Sequence, residues 1–186
     1  MGDPVLPPDS YCAIAPGHEW HGPYHDGVYG FPVEDESALF ERLVLEINQA
    51  GLSWLTILKK QAGFRAAYDG FDIAKVAAYG EPERQRLLQD AGIVRNRLKI
   101  DAAIHNAHRI LELQRSHGSF KRWLDAQHPL TEDAWLKLFK RHFKFVGGEI
   151  VKEFLMSTGY LPGAHAPDCP VHARARAAGP AWAHQP

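Results

Sequence analysis

The chain has 186 residues, 45% of them hydrophobic, enough for one packed domain or a domain with a small appended lobe. Its net charge of −1 does not mark a strongly basic nucleic-acid binder, so any contact with DNA must come from a local basic face. No apolar run approaches the ~20 residues of a membrane span, the proline-rich, acidic start does not read as a secretory signal, and two distant cysteines, Cys12 and Cys169, exclude a disulfide framework and fit a reducing cytoplasm.

Residues 1–32 hold many Pro and Gly with aromatics between them and read as loop and turn. Asp35 or Ser37 can cap a first helix whose apolar stripe runs Leu39, Leu43, Ile47 and Ala50, widened by Phe40 and Val44. Gly51 stops it, and Ser53 can cap a second helix through Trp54, Ile57 and Leu58. Residues 65–79 read as two short helices around Phe71-Asp72, and 81–90 as another that ends at Gly92. A long amphipathic helix over 96–114 places Ile100, Ala103, Ile104, Ala107 and Leu111 on one face. Helices over 119–126, 131–141 and 148–157 complete the set. The tail from Gly159 reads as irregular, with 177–186 disordered. Without repeats or alternating strand patterns, the predicted class is all-α.

Four groups of residues carry possible chemistry. Glu46 lies three residues after Leu43 and seven after Leu39, on or beside the buried stripe of its helix. A carboxylate there is costly unless paired or useful, and the plain alternative is an edge residue with its head in water. Trp54 just past that helix, with Tyr24 and Tyr29 upstream, supplies aromatic faces, and faces plus one acceptor are what a pocket for an extruded purine needs. Residues 90–99 read as helix, glycine turn at Gly92, then helix. Free N–H groups there with Arg95, Arg97 and Lys99 match a phosphate clamp, or an ordinary hairpin with solvated cations. Cys12, His25, His165 and Cys169 could ligate one metal, zinc being favoured by a Cys₂His₂ set, while His18 and His172 are rival ligands. The basic and aromatic stretch 137–144 could follow a DNA backbone or be one solvated helix face. Two other signals fail. His18-Glu19-Trp20-His21 lacks the second histidine of a zincin, and the lone His25-Asp26 pair leaves a two-metal phosphohydrolase without ligands.

Together Tyr24-His25-Asp26, Gln49-Ala50-Gly51-Leu52-Ser53-Trp54, Gly92-Ile93-Val94-Arg95-Asn96-Arg97 with Lys99-Ile100, and Phe143-Lys144-Phe145-Val146-Gly147 resemble the DNA-3-methyladenine glycosylase I family of the helix-hairpin-helix superfamily, from about Cys12 to Cys169. The resemblance implies a helix-hairpin-helix DNA glycosylase fold, with the helical core at 33–147 and a zinc-tied lobe at 1–32 plus 148–176. It places one structural Zn²⁺ per chain on Cys12, His25, His165 and Cys169. It also implies catalytic Glu46, base stacking by Tyr24 and Trp54, and DNA contact at Gly92, Arg95, Arg97 and Lys99, while Tyr29 can still stack where the family usually has Trp. The implied activity is monofunctional hydrolysis of 3-methyladenine from double-stranded DNA carrying alkylated purines, in the cytoplasm, with no membrane and no obligate protein partner. The chain departs from the family at Val28-Tyr29-Gly30, where Glu-Trp-Gly is usual, at His21, and in a shorter stretch before Lys137. These departures point to a shifted substrate range or weaker activity. The competing functions are a non-catalytic module that recognises damaged or abasic DNA through the same clamp, and a zinc-stapled interaction protein without nucleic acid.

Overall fold

A computed structural model describes residues 6–184, and no strand occurs among them. The helices in chain order are α1 (Tyr11–Ile14), α2 (His21–Gly27), α3 (Glu36–Gln49), α4 (Trp54–Ala67), α5 (Ile73–Ala77), α6 (Glu81–Gln89), α7 (Arg97–His117), α8 (Phe120–Gln127), α9 (Glu132–His142), α10 (Gly148–Ser157) and α11 (Pro170–Ala177). They fall into two compact units. One comprises the residues up to Val33 with those from Leu155 onward; the other is the continuous stretch 34–154. The expected boundary at 148 therefore moves to 155, inside α10.

In the second unit the local chemistry sets the helix ends as anticipated. Asp35 Oδ1 accepts from the Ala38 N–H at 2.7 Å and starts α3. Gly51, at φ +81°, takes the left-handed conformation after it. Ser53 Oγ then accepts from the Thr56 N–H at 3.2 Å to start α4. α3 buries Leu39, Phe40, Leu43, Val44 and Ile47, and α7 buries Ile100, Ala103, Ile104, Ala107 and Ile110. Glu36 on α3 accepts from Gln114 Nε2 and from the N–H groups of Phe120 and Lys121 at 2.7–2.9 Å, so one carboxylate caps α8 and ties it to α3 and α7. Stacked and tilted rings of Phe120, Trp123, Phe139 and Phe154 fill the space beyond.

In the first unit, two stretches expected to be irregular are helical. α2 carries Pro23 within its first turn, where its missing N–H removes no intrahelical bond. α11 begins with Pro170 directly after Cys169 and continues through alternating alanines. The tail beyond it, expected to be disordered over 177–186, forms a 3₁₀ turn at Ala181–His184. The Trp182 N–H donates to the Gly159 carbonyl at 3.2 Å; residues 185–186 lie outside the described range. The two stretches of this unit meet at Gly30, whose N–H donates to the Ser157 carbonyl at 3.0 Å. A Cβ on Gly30 would sit 2.7 Å from that of Ala164, and its φ of +82° suits only glycine.

Candidate functional site

Glu46 lies on the inner side of α3 and is only 3% exposed. Burial pushes its carboxyl up to about 8, Arg42 draws it back, and Glu153 raises it further. It is therefore an embedded acid with a proton affinity near neutral pH, not a solvated edge residue. Such a group can be neutral when its surroundings are apolar and ionise when a cation arrives beside it.

The segment after Glu46 forms one lip of a cleft. Gln49 to Ser53 face Gly147 to Ile150 across a cavity of about 580 Å³. Leu52 stands at the tip of the Gly51 turn and is 41% exposed, a large apolar side chain with no place in the core. Sequence reasoning passed over it, although a leucine between glycine and a capping serine has no helical stripe to join. Trp54 follows, half-buried, at the start of α4.

The four expected DNA contacts take different roles. Gly92 sits in a turn whose N–H donates to Asp90 Oδ1 at 2.7 Å, and Lys60 Nζ donates to the Ala91 carbonyl at 2.7 Å. Gly63 of α4 lies so close that a Cβ there would fall 2.4 Å from the Gly92 carbonyl oxygen. Asn96 then caps α7, accepting from the Lys99 N–H at 3.2 Å. Arg95 is exposed. Arg97 is exposed too, but its guanidinium makes a two-pronged contact with Glu81 at 3.0 and 2.8 Å. Lys99 departs from expectation. It is 5% exposed, and its Nζ donates to the carbonyls of Asn48 at 2.9 Å and Ala50 at 2.7 Å. The charge satisfies the open end of α3 instead of a phosphate, a C-terminal cap supplied by a neighbouring helix. The basic stretch 137–144 divides as an amphipathic helix does: Phe139 and Phe143 are buried, while Lys137, Lys140, Arg141 and Lys144 face solvent.

In the first unit Cys12, His25, His165 and Cys169 are all buried, and their ligand atoms lie within 4.8 Å of one another. Cys12 Sγ is 3.9 Å from His165 Nδ1, and Cys169 Sγ is 3.6 Å from His25 Nε2 and 3.9 Å from His165 Nδ1. The outer ring nitrogens are already occupied. His25 Nδ1 donates to Asp26 Oδ1 at 2.7 Å, and His165 Nε2 donates to the Tyr29 carbonyl at 2.7 Å, so the inner nitrogens present lone pairs to the sulfurs. Burial holds His165 below the ordinary histidine range and keeps that lone pair available. This group could hold one metal ion. Of the two rivals, His172 contacts the His165 carbonyl and His18 accepts from the backbone N–H groups of Trp20 and His21, so neither joins the four. Tyr24 and Tyr29 sit on the same knot, 7% and 8% exposed, with ring centres 5.6 Å apart. Tyr11 packs edge-on against Tyr29 and His25, at 5.5 and 5.6 Å.

Comparison with known proteins converges on one kind of enzyme. The family described as methyladenine glycosylase matches residues 16–134. A protein of Escherichia coli named DNA-3-methyladenine glycosylase 1 is 41% identical over 78% of this chain and 88% of its own length. Solved structures of 3-methyladenine DNA glycosylase I are also similar. That from Staphylococcus aureus, concerned with 3-methyladenine recognition, has a TM-score of 0.77 and 33% identity over 87% of this chain and 95% of its own. A variant enzyme of that name in complex with 3-methyladenine gives a TM-score of 0.77 at 33% identity, covering 87% and 96% of the two chains.

Proposed function

The chain belongs to the methyladenine glycosylase family, and from that membership we propose that it is a base-excision repair enzyme that hydrolyses the N-glycosidic bond of 3-methyladenine in alkylated DNA. The observation that carries the chemistry is the buried carboxyl of Glu46. A purine methylated at N3 is cationic and already a good leaving group, so it needs no acid catalyst. It needs extrusion from the duplex and a site that favours its charge. Glu46 ionised beside the base would accept its exocyclic N–H and offset the positive ring, a charge-assisted contact stronger than a neutral one. When the bond between the sugar C1′ and the base nitrogen breaks, its electron pair returns to the ring and neutralises it. Water adds to C1′ and loses a proton to solvent. No lysine attacks the sugar, so the product is an abasic site in an uncut strand.

Other residues fit this reading in supporting roles. Leu52, apolar and exposed beside the cleft, suits insertion into the space that an extruded base leaves. Trp54, Tyr24 and Tyr29 are the aromatic candidates for stacking on that base. Arg95 is the cation of the hairpin with a free approach to phosphate, and the turn at Gly92 supplies backbone. Zinc is the metal we assign to the Cys₂His₂ group. Tetrahedral Zn–S and Zn–N bonds require S···N edges of roughly 3.5 Å, near the separations observed. With four protein ligands no coordination position remains for a reacting water, which makes the role structural. Among the described residues no helix is long and apolar enough to cross a membrane, and a cytoplasmic location accords with the two thiols.

The deciding experiment incubates the protein with N-methylated duplex DNA and identifies the released bases. Free 3-methyladenine, little 7-methylguanine and no strand cleavage are expected. Salt-dependent binding without base release from folded protein would instead make it a non-catalytic damage-recognition module.

A further inference from the structure

One helix holds the first lip of the cleft and the segment that leads into the second. From the first turn of α7, Lys99 Nζ donates to the carbonyls of Asn48 and Ala50, immediately before the Gly51-Leu52 tip. The same ammonium lies 5.8 Å from the ring centre of Phe145 in the segment that leads into the other lip. Two turns further along α7, the fully buried Asn106 clamps the neighbouring backbone in both directions. Its Nδ2 donates to the Lys144 carbonyl at 3.1 Å, and its Oδ1 accepts from the Lys144 N–H at 2.8 Å. Phe145 itself sits at φ +60°, a conformation that a bulky residue adopts only when its surroundings enforce it. Its ring is 39% exposed, so packing alone does not enforce it.

The geometry points to Lys99 as a positioning residue for base extrusion: the helix that leaves the DNA-facing hairpin also sets the height of the Leu52 tip and its distance from Phe145, which leads into the other lip. This rests on the glycosylase reading above and extends it, because it makes a buried cation, not a phosphate contact, the link between duplex docking and strand opening. The Leu52 tip and the Phe145 segment both take their place from α7, so seating the hairpin on a backbone seats the wedge with it. A misplacement of about 1 Å in such an arrangement costs up to roughly a hundredfold in rate.

Three variants test it. Lys99→Met keeps the stem and removes the donors. Lys99→Arg keeps a donor head. Phe145→Gly removes the ring that Lys99 faces beside the second lip and relieves the left-handed backbone without disturbing any carbonyl. Each is assayed for excision from duplex DNA, for affinity toward free 3-methyladenine, for the salt dependence of duplex binding, and for fluorescence of 2-aminopurine placed next to an abasic-site analogue. Lys99→Met should lower duplex excision by roughly ten- to a hundredfold and abolish the fluorescence rise. Free-base affinity and the salt slope should stay at wild-type values, and Lys99→Arg should recover part of the rate. Phe145→Gly trades the ring's contacts for a relaxed backbone and should fold yet lose extrusion, so the idea stays testable even if Lys99→Met does not fold. A salt slope reduced by ~1 in Lys99→Met would make it a phosphate contact and overturn the proposal. Equal losses of free-base affinity and excision, or wild-type extrusion by Phe145→Gly, would overturn it as well. Failure of the wild-type protein to release any base would instead sink the glycosylase reading.

Discussion

Replacing Glu46 by Gln separates what this carboxyl does for activity from what it costs the fold. The group moves from an ordinary 4.5 to about 8, chiefly through burial. At 1.36 kcal/mol per unit this sets a ceiling of about 5 kcal/mol on the penalty of ionising it in the folded state. Because the folded value lies above the unfolded one, the stability associated with the protonated group is complete below about 4.5. It declines as pH rises from there toward 8, and above 8 the full penalty applies. Glutamine has the same shape and no proton to lose. Thermal melts from pH 5 to pH 9 should therefore show the variant gaining on wild type as pH rises. Each kcal/mol is worth ~2–4 °C for a chain of this size. Activity should run the opposite way. A cationic base needs the ionised carboxylate, so kcat/KM of the wild type should climb with pH through about 8 and level off above it. The variant should be flat and roughly 10- to 100-fold slower, the loss of one charge-assisted hydrogen bond of ~1.5–3 kcal/mol. A constant difference in melting temperature across that range, with a wild-type rate already level at pH 6, would show that Glu46 is ionised throughout and the argument from burial wrong.

Arg95→Ala should weaken binding to all duplex sequences alike and reduce the salt slope by ~1, whereas Arg97→Ala should change the slope less, because Glu81 already engages that guanidinium; titration of DNA binding at several salt concentrations reads both. Gly63→Ala should destabilise by ~1–3 kcal/mol, since its Cβ would meet the Gly92 carbonyl at 2.4 Å, and thermal melting of the purified variant measures it. Elemental analysis should find one zinc per chain. A chelator should lower the melting temperature and make Cys12 and Cys169 reactive to a thiol reagent, with most of the helical signal retained because the second unit contains none of the four ligands.

The legible parts of the sequence were those in which one physical demand acts alone. The stripes of α3 and α7 follow from burial, and Asp35 and Ser53 cap where their side chains can reach the next free N–H. The Glu46 stripe position was legible for the same reason. The role of Lys99 is hidden in the sequence because its charge and its periodicity point to different places. Arg95, Arg97 and Lys99 look like one basic cluster in sequence, yet Lys99 precedes Ala103 by four residues and Asn106 by seven, which places it on the buried side of α7. The pairing of Arg97 with Glu81 was not legible, because 16 residues and a hairpin separate them. In the first unit the density of Pro and Gly suggested loops. Pro23 and Pro170 instead sit in first turns, where proline is compatible with a helix, and the metal-ligand geometry around them depends on contacts across more than a hundred residues.

That separation fixes an order of assembly. Cys12 and His25 leave the ribosome early, while His165 and Cys169 follow only after the whole of the second unit has been made. The second unit is a continuous stretch and has every one of its own contacts available once Phe154 has emerged. The first unit cannot close until Cys169 has been made, and until then Cys12 and His25 make up only half of the four-residue group. A chain cut just before Ala164 would therefore retain every residue of the second unit beside an amino-terminal segment with nothing to close on. In such a chain Cys12 would keep only His25 of the three residues gathered around it, and its thiol would be open to a thiol reagent.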